Sequence, residues 1–194
     1  MKVRDSGMPE KLMWEGFFDA PHILRQPGFG EIDGDVVEFG CGYGTFTVAA
    51  AGMTRGTVLA LDIEPEMVEA TALKARELGL QNVRVVLRDF VAEGTGLPDG
   101  AVDFAMLFNV LHAENLMRLL REAFRVLQPG GKVGVIHWIY DASTPRGPDL
   151  SIRPEQCQHW LREAGFDLAD PILALPPYHY GLRGRKPNER TETS

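Results

Sequence analysis

From residue 35 onward the chain alternates short apolar runs, rich in β-branched residues, with segments of helical periodicity. The runs are "DVVEF" (35–39), "TVLALD" (57–62), "VRVVLRD" (83–89), "VDFAMLF" (102–108) and "KVGVIHW" (132–138). None shows a polar/apolar alternation, which is how strands covered on both faces read. Between them the spacing predicts a helix over 65–78, opened by Pro65 and ended by Gly79, with Met67, Val68, Thr71, Ala72, Ala75 and Leu78 on one face. A second covers about 114–127, with Leu116, Leu119, Leu120, Ala123, Phe124 and Leu127 in register and "QPGG" as its stop. A third opens at Pro154, buries Cys157, Trp160, Leu161 and Ala164, and stops at Gly165. Strand–helix alternation of this kind requires right-handed crossovers and a parallel, doubly wound sheet.

The end of the chain departs from that rhythm. "FDLADPILAL" and "YHYGLRGRK" are joined only by a Pro-Pro turn, which leaves no room for a crossover helix, so this strand pair must be antiparallel. Pro171 marks its strand as an edge or bulged one. The expected fold is therefore α/β, a doubly wound, mostly parallel seven-stranded sheet with helices on both faces and an antiparallel C-terminal pair. One domain spans 35–186, preceded by an N-terminal helical segment (1–34) and followed by a flexible tail (187–194).

Composition narrows the partners. The formal net charge of −7 over 194 residues lacks the basic footprint of a nucleic-acid or anionic-membrane binder. Two cysteines, Cys41 and Cys157, make neither a disulfide framework nor a metal-ligand pattern. With no 18-residue apolar run and no signal-like h-region, a cytoplasmic protein without a membrane span is the expectation.

The loop after the first strand, "GCGYG", carries Gly40, Gly42 and Gly44. In a doubly wound sheet the ligand crevice lies beyond the carboxyl ends of the strands, and the first strand–turn–helix is its usual wall. A phosphate P-loop requires Lys-Ser/Thr after the last glycine, and the dinucleotide fingerprint requires glycine where Thr45 stands. Pyrophosphate is thereby demoted. Asp62 closes the second strand eighteen residues after Gly44, close to the offset at which an acid meets ribose hydroxyls. Its structural alternative is to cap the helix that opens at Pro65.

Taken together, "VVEFGCGYGTFT", Asp62, "RDF" (88–90), "VDFAMLFNVLH" and "REAFRVLQPGGKVGVIHW" resemble, in order and spacing, the seven-stranded class I S-adenosylmethionine-dependent methyltransferases. "RPEQCQHWLREAGF" followed by two strands is similar to the end of that domain, so the resemblance covers roughly 35–186. It implies S-adenosylmethionine as cofactor. Glu38, Phe39, Gly40, Gly42 and Gly44 would hold its methionine moiety, Asp62 the ribose, and Ile63 would lie against the adenine. Asp89 would accept from the adenine amino group, Phe90 would offer its N–H or ring, and Asn109 would line the cofactor near the transferable methyl. The alternatives are structural: Glu38 paired to a cation, Asp89 as a turn residue, Phe90 as core.

Methyl transfer from a sulfonium requires alignment, exclusion of water and, for a protonated nucleophile, a base. His112 and His137 stand at the predicted carboxyl ends of adjacent strands and are the candidate catalytic bases; the alternative is that each satisfies loop backbone groups. A metal held by His112, His137 and Asp141 is not supported by their spacing. No Asn-Pro-Pro-Tyr/Phe follows the fourth strand, and no long insertion grips a macromolecule, so a small-molecule methyl acceptor is expected and nucleic acid disfavoured. Tyr140, Arg146 and Arg153, in the loop after the fifth strand, are candidates to face it. The other function classes are a non-catalytic S-adenosylmethionine-binding regulatory module and a nicotinamide-dependent oxidoreductase, the latter opposed by Thr45. Residues 8–24, with Leu12, Met13, Trp14, Phe17 and Phe18, read as an apolar helix that breaks before Pro21 and docks, either as a lid over the crevice or as a fixed helix.

Overall fold

A computed structural model describes residue 16 and residues 18–26, 32–139 and 152–188. Along the chain run α1 (Ala20–Leu24), β1 (Val36–Phe39), α2 (Thr45–Ala51), β2 (Val58–Asp62), α3 (Pro65–Glu77), β3 (Val83–Leu87), β4 (Val102–Phe108), α4 (Leu116–Val126), β5 (Leu127–Trp138), α5 (Pro154–Glu163), β6 (Asp167–Leu175) and β7 (His179–Arg185). The seven strands form one sheet in the order β3-β2-β1-β4-β5-β7-β6. The first five are parallel, and β7 joins β5 and β6 antiparallel. Strand order reverses between β1 and β4, which puts the crevice at the carboxyl ends of those two strands.

Alternate residues of β4 divide between two cores, as the two-residue period of a strand dictates. Ala105 and Leu107 join the cluster under α4 and α5, built around Leu119, Leu120, Cys157 and Leu161. Phe104, Met106 and Phe108 join the cluster under α1 and α2, with Leu24, Phe46 and Ala50. All four β1 residues are buried between β2 and β4, so its continuous apolar run is explained by covered faces.

Several boundaries differ from the sequence expectation, each for a physical reason. Strand β3 is the sheet's edge, and its Arg84 and Leu87 are exposed, so it is not covered as its composition suggested. Leu78 lies past the last turn of α3 and is exposed, and Trp160 is only half-buried. Helix α4 ends at Val126 and the chain passes straight into β5 at Leu127, so "QPGG" lies within the strand and is not the helix stop, with Gly130 N–H bonded to Lys186 O at 2.9 Å. Strand β6 is the opposite edge, and its pairing to β7 shifts register between Ala169 and Leu173, around Pro171, as expected of a proline that cannot donate to a ladder.

The helix expected over residues 8–20 lies mostly outside the described residues, and Pro21 falls inside a separate short helix. It occupies the first turn of α1, which Asp19 caps by accepting from His22 N–H at 3.0 Å. Leu12, Met13, Trp14 and Phe17 lie outside the described residues, as do Tyr140, Asp141, Arg146 and the last six residues of the tail.

Candidate functional site

The loop leaving β1 is held from two sides. Gly40 and Cys41 N–H both donate to Leu61 O at 2.9 Å, hanging the loop on the end of β2. The Gly42 peptide is clamped: its N–H donates to Asp62 Oδ2 at 2.9 Å, and its carbonyl accepts from Thr71 Oγ1 of α3 at 2.8 Å. Gly40, Gly42 and Gly44 all adopt left-handed φ, at 78°, 52° and 74°. At Gly44 the need for glycine is twofold, because a Cβ there would also lie 3.0 Å from Thr71 Oγ1 and 3.1 Å from its Cγ2. At Gly40 a Cβ would come within 2.7 Å of Val110 Cγ1. At these two positions the body pressing on the backbone is the protein itself.

Two carboxylates sit beneath this loop. Glu38 is 2% exposed, and its Oε2 accepts from the hydroxyl of Thr47, which α2 brings across β1. Burial, followed by the charge of Asp62, raises its pKa to about 8, although the Thr47 hydrogen bond opposes the shift. Asp62 is equally buried; its Oδ1 accepts from Glu64 N–H at 3.0 Å, and burial raises its pKa. The capping role foreseen for Asp62 is thus partly realised, one residue short of the helix, whose own cap is Glu64. Neither Glu38 nor Asp62 forms an ion pair among the described residues, so the cation partner considered for Glu38 is not found among them.

The third wall follows β3. Asp89 is half-buried, and its Oδ1 accepts from Ala92 N–H at 2.9 Å, so it does form a turn. Phe90 N–H is already donated to Arg88 O at 3.0 Å, and its ring stands edge-on to Phe39 with centroids 5.6 Å apart in the core. The stretch behind them is pinned to α4: Thr95 donates both its N–H and its hydroxyl to Glu122 Oε1 at 2.7 Å. Burial alone would raise the Glu122 pKa, but hydrogen bonds from Arg125 and Thr95 outweigh it and hold it at about 2. Ile63, half-buried, follows Asp62 at the end of β2.

Beyond β4, Asn109 adopts φ 57°, unusual for a residue with a side chain. Its N–H donates to Ile136 O at 2.7 Å, beside His137. Its amide nitrogen and oxygen are buried with no hydrogen-bond partner among the described residues. The same holds for both ring nitrogens of His137, which is wholly buried. His112 and His137 are brought together, with ring centroids 6.2 Å apart, and Tyr180 lies 6.3 Å from His137 on β7. Burial, reinforced by His112, pushes the His137 pKa down to about 3, so its imidazole is neutral. No group of three metal-ligating side chains occurs among the described residues.

Sequence reasoning missed Thr47 and saw Thr71 only as part of a buried helical face. From α2 the Thr47 hydroxyl donates to Glu38 on β1 and from α3 the Thr71 hydroxyl donates to the loop at Gly42, and both roles depend on which helix crosses which strand. It also missed His179, whose ring sits tilted against Phe18 at 4.4 Å and Trp138 at 4.1 Å, where the antiparallel hairpin meets the N-terminal segment.

Comparison with known proteins agrees with this architecture. Residues 36–131 match the family described as "Methyltransferase domain". The chain is 30% identical over 124 residues to aklanonic acid methyltransferase DauC of Streptomyces sp. (strain C5), covering 62% of this chain and 54% of that protein. It is 30% identical over 155 residues to a ubiquinone biosynthesis O-methyltransferase of Xanthomonas axonopodis pv. citri, covering 70% and 63%. The crystal structure of a SAM-dependent methyltransferase from Aquifex aeolicus superposes with a TM-score of 0.78 at 24% identity, over 91% of this chain and 93% of that one, which establishes the shared fold. Across the first of its curated relatives the matched region spans between 35% and 63% of their length.

Proposed function

Because the chain belongs to the class I S-adenosylmethionine-dependent methyltransferases, we propose that it transfers the methyl group of S-adenosylmethionine to a small-molecule acceptor. The observation that carries this reading is the pair of buried carboxylates, Glu38 and Asp62, on either side of the glycine loop with no cation paired to them among the described residues. Ionising a buried carboxyl without a partner is costly, so Glu38 keeps its proton to about pH 8, and a ligand that brings a positive charge offsets the cost of ionising it. S-adenosylmethionine fits: it brings an ammonium, hydroxyls for a second carboxylate, and an activated methyl on a sulfonium.

In this reading Glu38 accepts from the amino group, with Phe39, Gly40, Gly42 and Gly44 forming the wall beside it. Asp62 spends one lone pair on each of the Gly42 and Glu64 N–H groups and retains others for ribose hydroxyls. Ile63 and Phe90 flank the adenine and Asp89 accepts from its amino group. The unfilled amide of Asn109 lies near the methyl. His112 and His137 receive the proton of the acceptor. A neutral, weakly basic His137 accepts a proton as the methyl moves and not before it, since free ionisation of an acceptor hydroxyl needs a stronger base.

Two relatives are named for aklanonic acid methylation and for ubiquinone biosynthesis, which supports a small organic acceptor over a macromolecule. The net charge of −7 supports the same choice. Turnover with a panel of hydroxylated aromatic acceptors, read as S-adenosylhomocysteine formed, tests the reaction. Cofactor binding without turnover on any member favours a regulatory module instead.

A further inference from the structure

We infer that Thr71 is a positioning residue of the cofactor site, one that sets the glycine loop and the Asp62 carboxylate together without touching the ligand. The inference rests on the reading of that loop as the methionine wall. Thr71 is wholly buried in the middle of α3, and its hydroxyl donates to the Gly42 carbonyl at 2.8 Å. The N–H of the same residue, Gly42, donates to Asp62 at 2.9 Å. One glycine therefore links α3 to β2 through two hydrogen bonds that meet at the loop. The two bonds hold the peptide units on either side of the Gly42 Cα, so together they fix its φ and ψ, and the loss of either one frees the loop at the same residue.

Two further features bear on the close fit of Thr71 against the loop. Glycine at 44 leaves the room in which Thr71 approaches the loop, with its Cα only 3.3 Å from where a Gly44 Cβ would stand. Gly42 itself holds φ 52°. A loop held in a left-handed conformation before the ligand arrives binds without ordering it afresh, which is where preorganisation raises affinity. The chemistry required at 71 is a hydroxyl donor on a short, buried side chain, which serine also supplies and valine does not.

The test measures S-adenosylmethionine affinity by calorimetry in Thr71→Val, Thr71→Ser, Asp62→Ala and the Thr71→Val/Asp62→Ala double variant, with Glu38→Gln alongside. A buried carbonyl left without its donor loses about fivefold to tenfold in affinity for Thr71→Val. Thr71→Ser should bind within about twofold of wild type, because one net hydrogen bond is retained. Since both side chains act on Gly42, the double variant should lose less than the product of the single losses. S-adenosylhomocysteine should show the same ratios, since the two ligands share the methionine half.

Wild-type affinity in Thr71→Val, equal weakening in the valine and serine variants, or strictly multiplicative losses in the double variant would each overturn the assignment. The site reading fails separately: Glu38→Gln and Asp62→Ala would then bind as well as wild type.

Discussion

Thr47 donates its hydroxyl to Glu38, and this is the one hydrogen bond that the Glu38 carboxylate receives among the described residues. A carboxylate this buried, with the charge of Asp62 nearby and no cation beside it, holds its proton to about pH 8 in the cofactor-free protein. An ammonium needs the ionised form. Cofactor binding should therefore release a proton at neutral pH, and affinity should rise about tenfold per pH unit up to about 8. Calorimetry in buffers of different ionisation enthalpy counts the proton, and the slope should vanish in Glu38→Gln.

The same shift has a stability consequence of opposite direction. The folded pKa lies above the ordinary 4.5, so the contribution of Glu38 to stability is complete below that value and is lost as pH rises through about 8. Glu38→Gln should make the cofactor-free protein more stable above pH 8, by roughly 2–4 kcal/mol, while it weakens cofactor binding. Chemical denaturation of both proteins at pH 5 and pH 8.5 checks it; an equal difference at the two pH values contradicts it.

Asp62→Ala should weaken S-adenosylmethionine binding by about 1–3 kcal/mol, because a charge-assisted bond to the ligand and the anchor of Gly42 go together. Unchanged affinity would leave Asp62 with only its loop and turn contacts.

Neither ring nitrogen of His137 has a hydrogen-bond partner among the described residues, so replacing the ring removes no side-chain contact of that kind. His137→Leu should retain thermal stability or gain it. If the pair acts as base, His112→Ala and His137→Leu lower turnover by about 10²–10⁴ while leaving cofactor affinity nearly unchanged. Turnover should not fall through His137 protonation until the pH approaches 3. Full activity in both variants would leave orientation as the main catalytic contribution.

Phe18 is buried against Phe46 at 5.1 Å and His179 at 4.4 Å, and Ile23 and Leu24 are buried beside it. The described part of the N-terminal segment is thus packed on α2 and the start of β7. Phe18→Ala should cost about 3–5 kcal/mol of stability, measured by denaturation, as a large core ring is lost.

The parts of this protein legible in its sequence are those that follow from periodicity and punctuation. The β-branched runs and their helices gave the doubly wound sheet, Pro-Pro between the last two strands gave the antiparallel pair, and Pro171 announced an edge. Each is a local rule with few competing outcomes. Exposure was read less well, because β3 carries the same residue types as β1 but has a neighbour on one side only. Within the site, the order of motifs pointed to Glu38 and Asp62. It did not reveal that Phe90 N–H is already engaged, or that Gly44 makes room for Thr71. Those facts depend on how two helices lie across the strands, a tertiary relation that no spacing encodes.

The most direct test is calorimetric titration of the wild-type chain with S-adenosylmethionine and, separately, with NAD at pH 7. Two uncompensated carboxylates around a loop that lacks both phosphate-binding patterns predict binding of S-adenosylmethionine with net proton release, and no heat from NAD. Micromolar NAD binding with no response to S-adenosylmethionine would contradict the account.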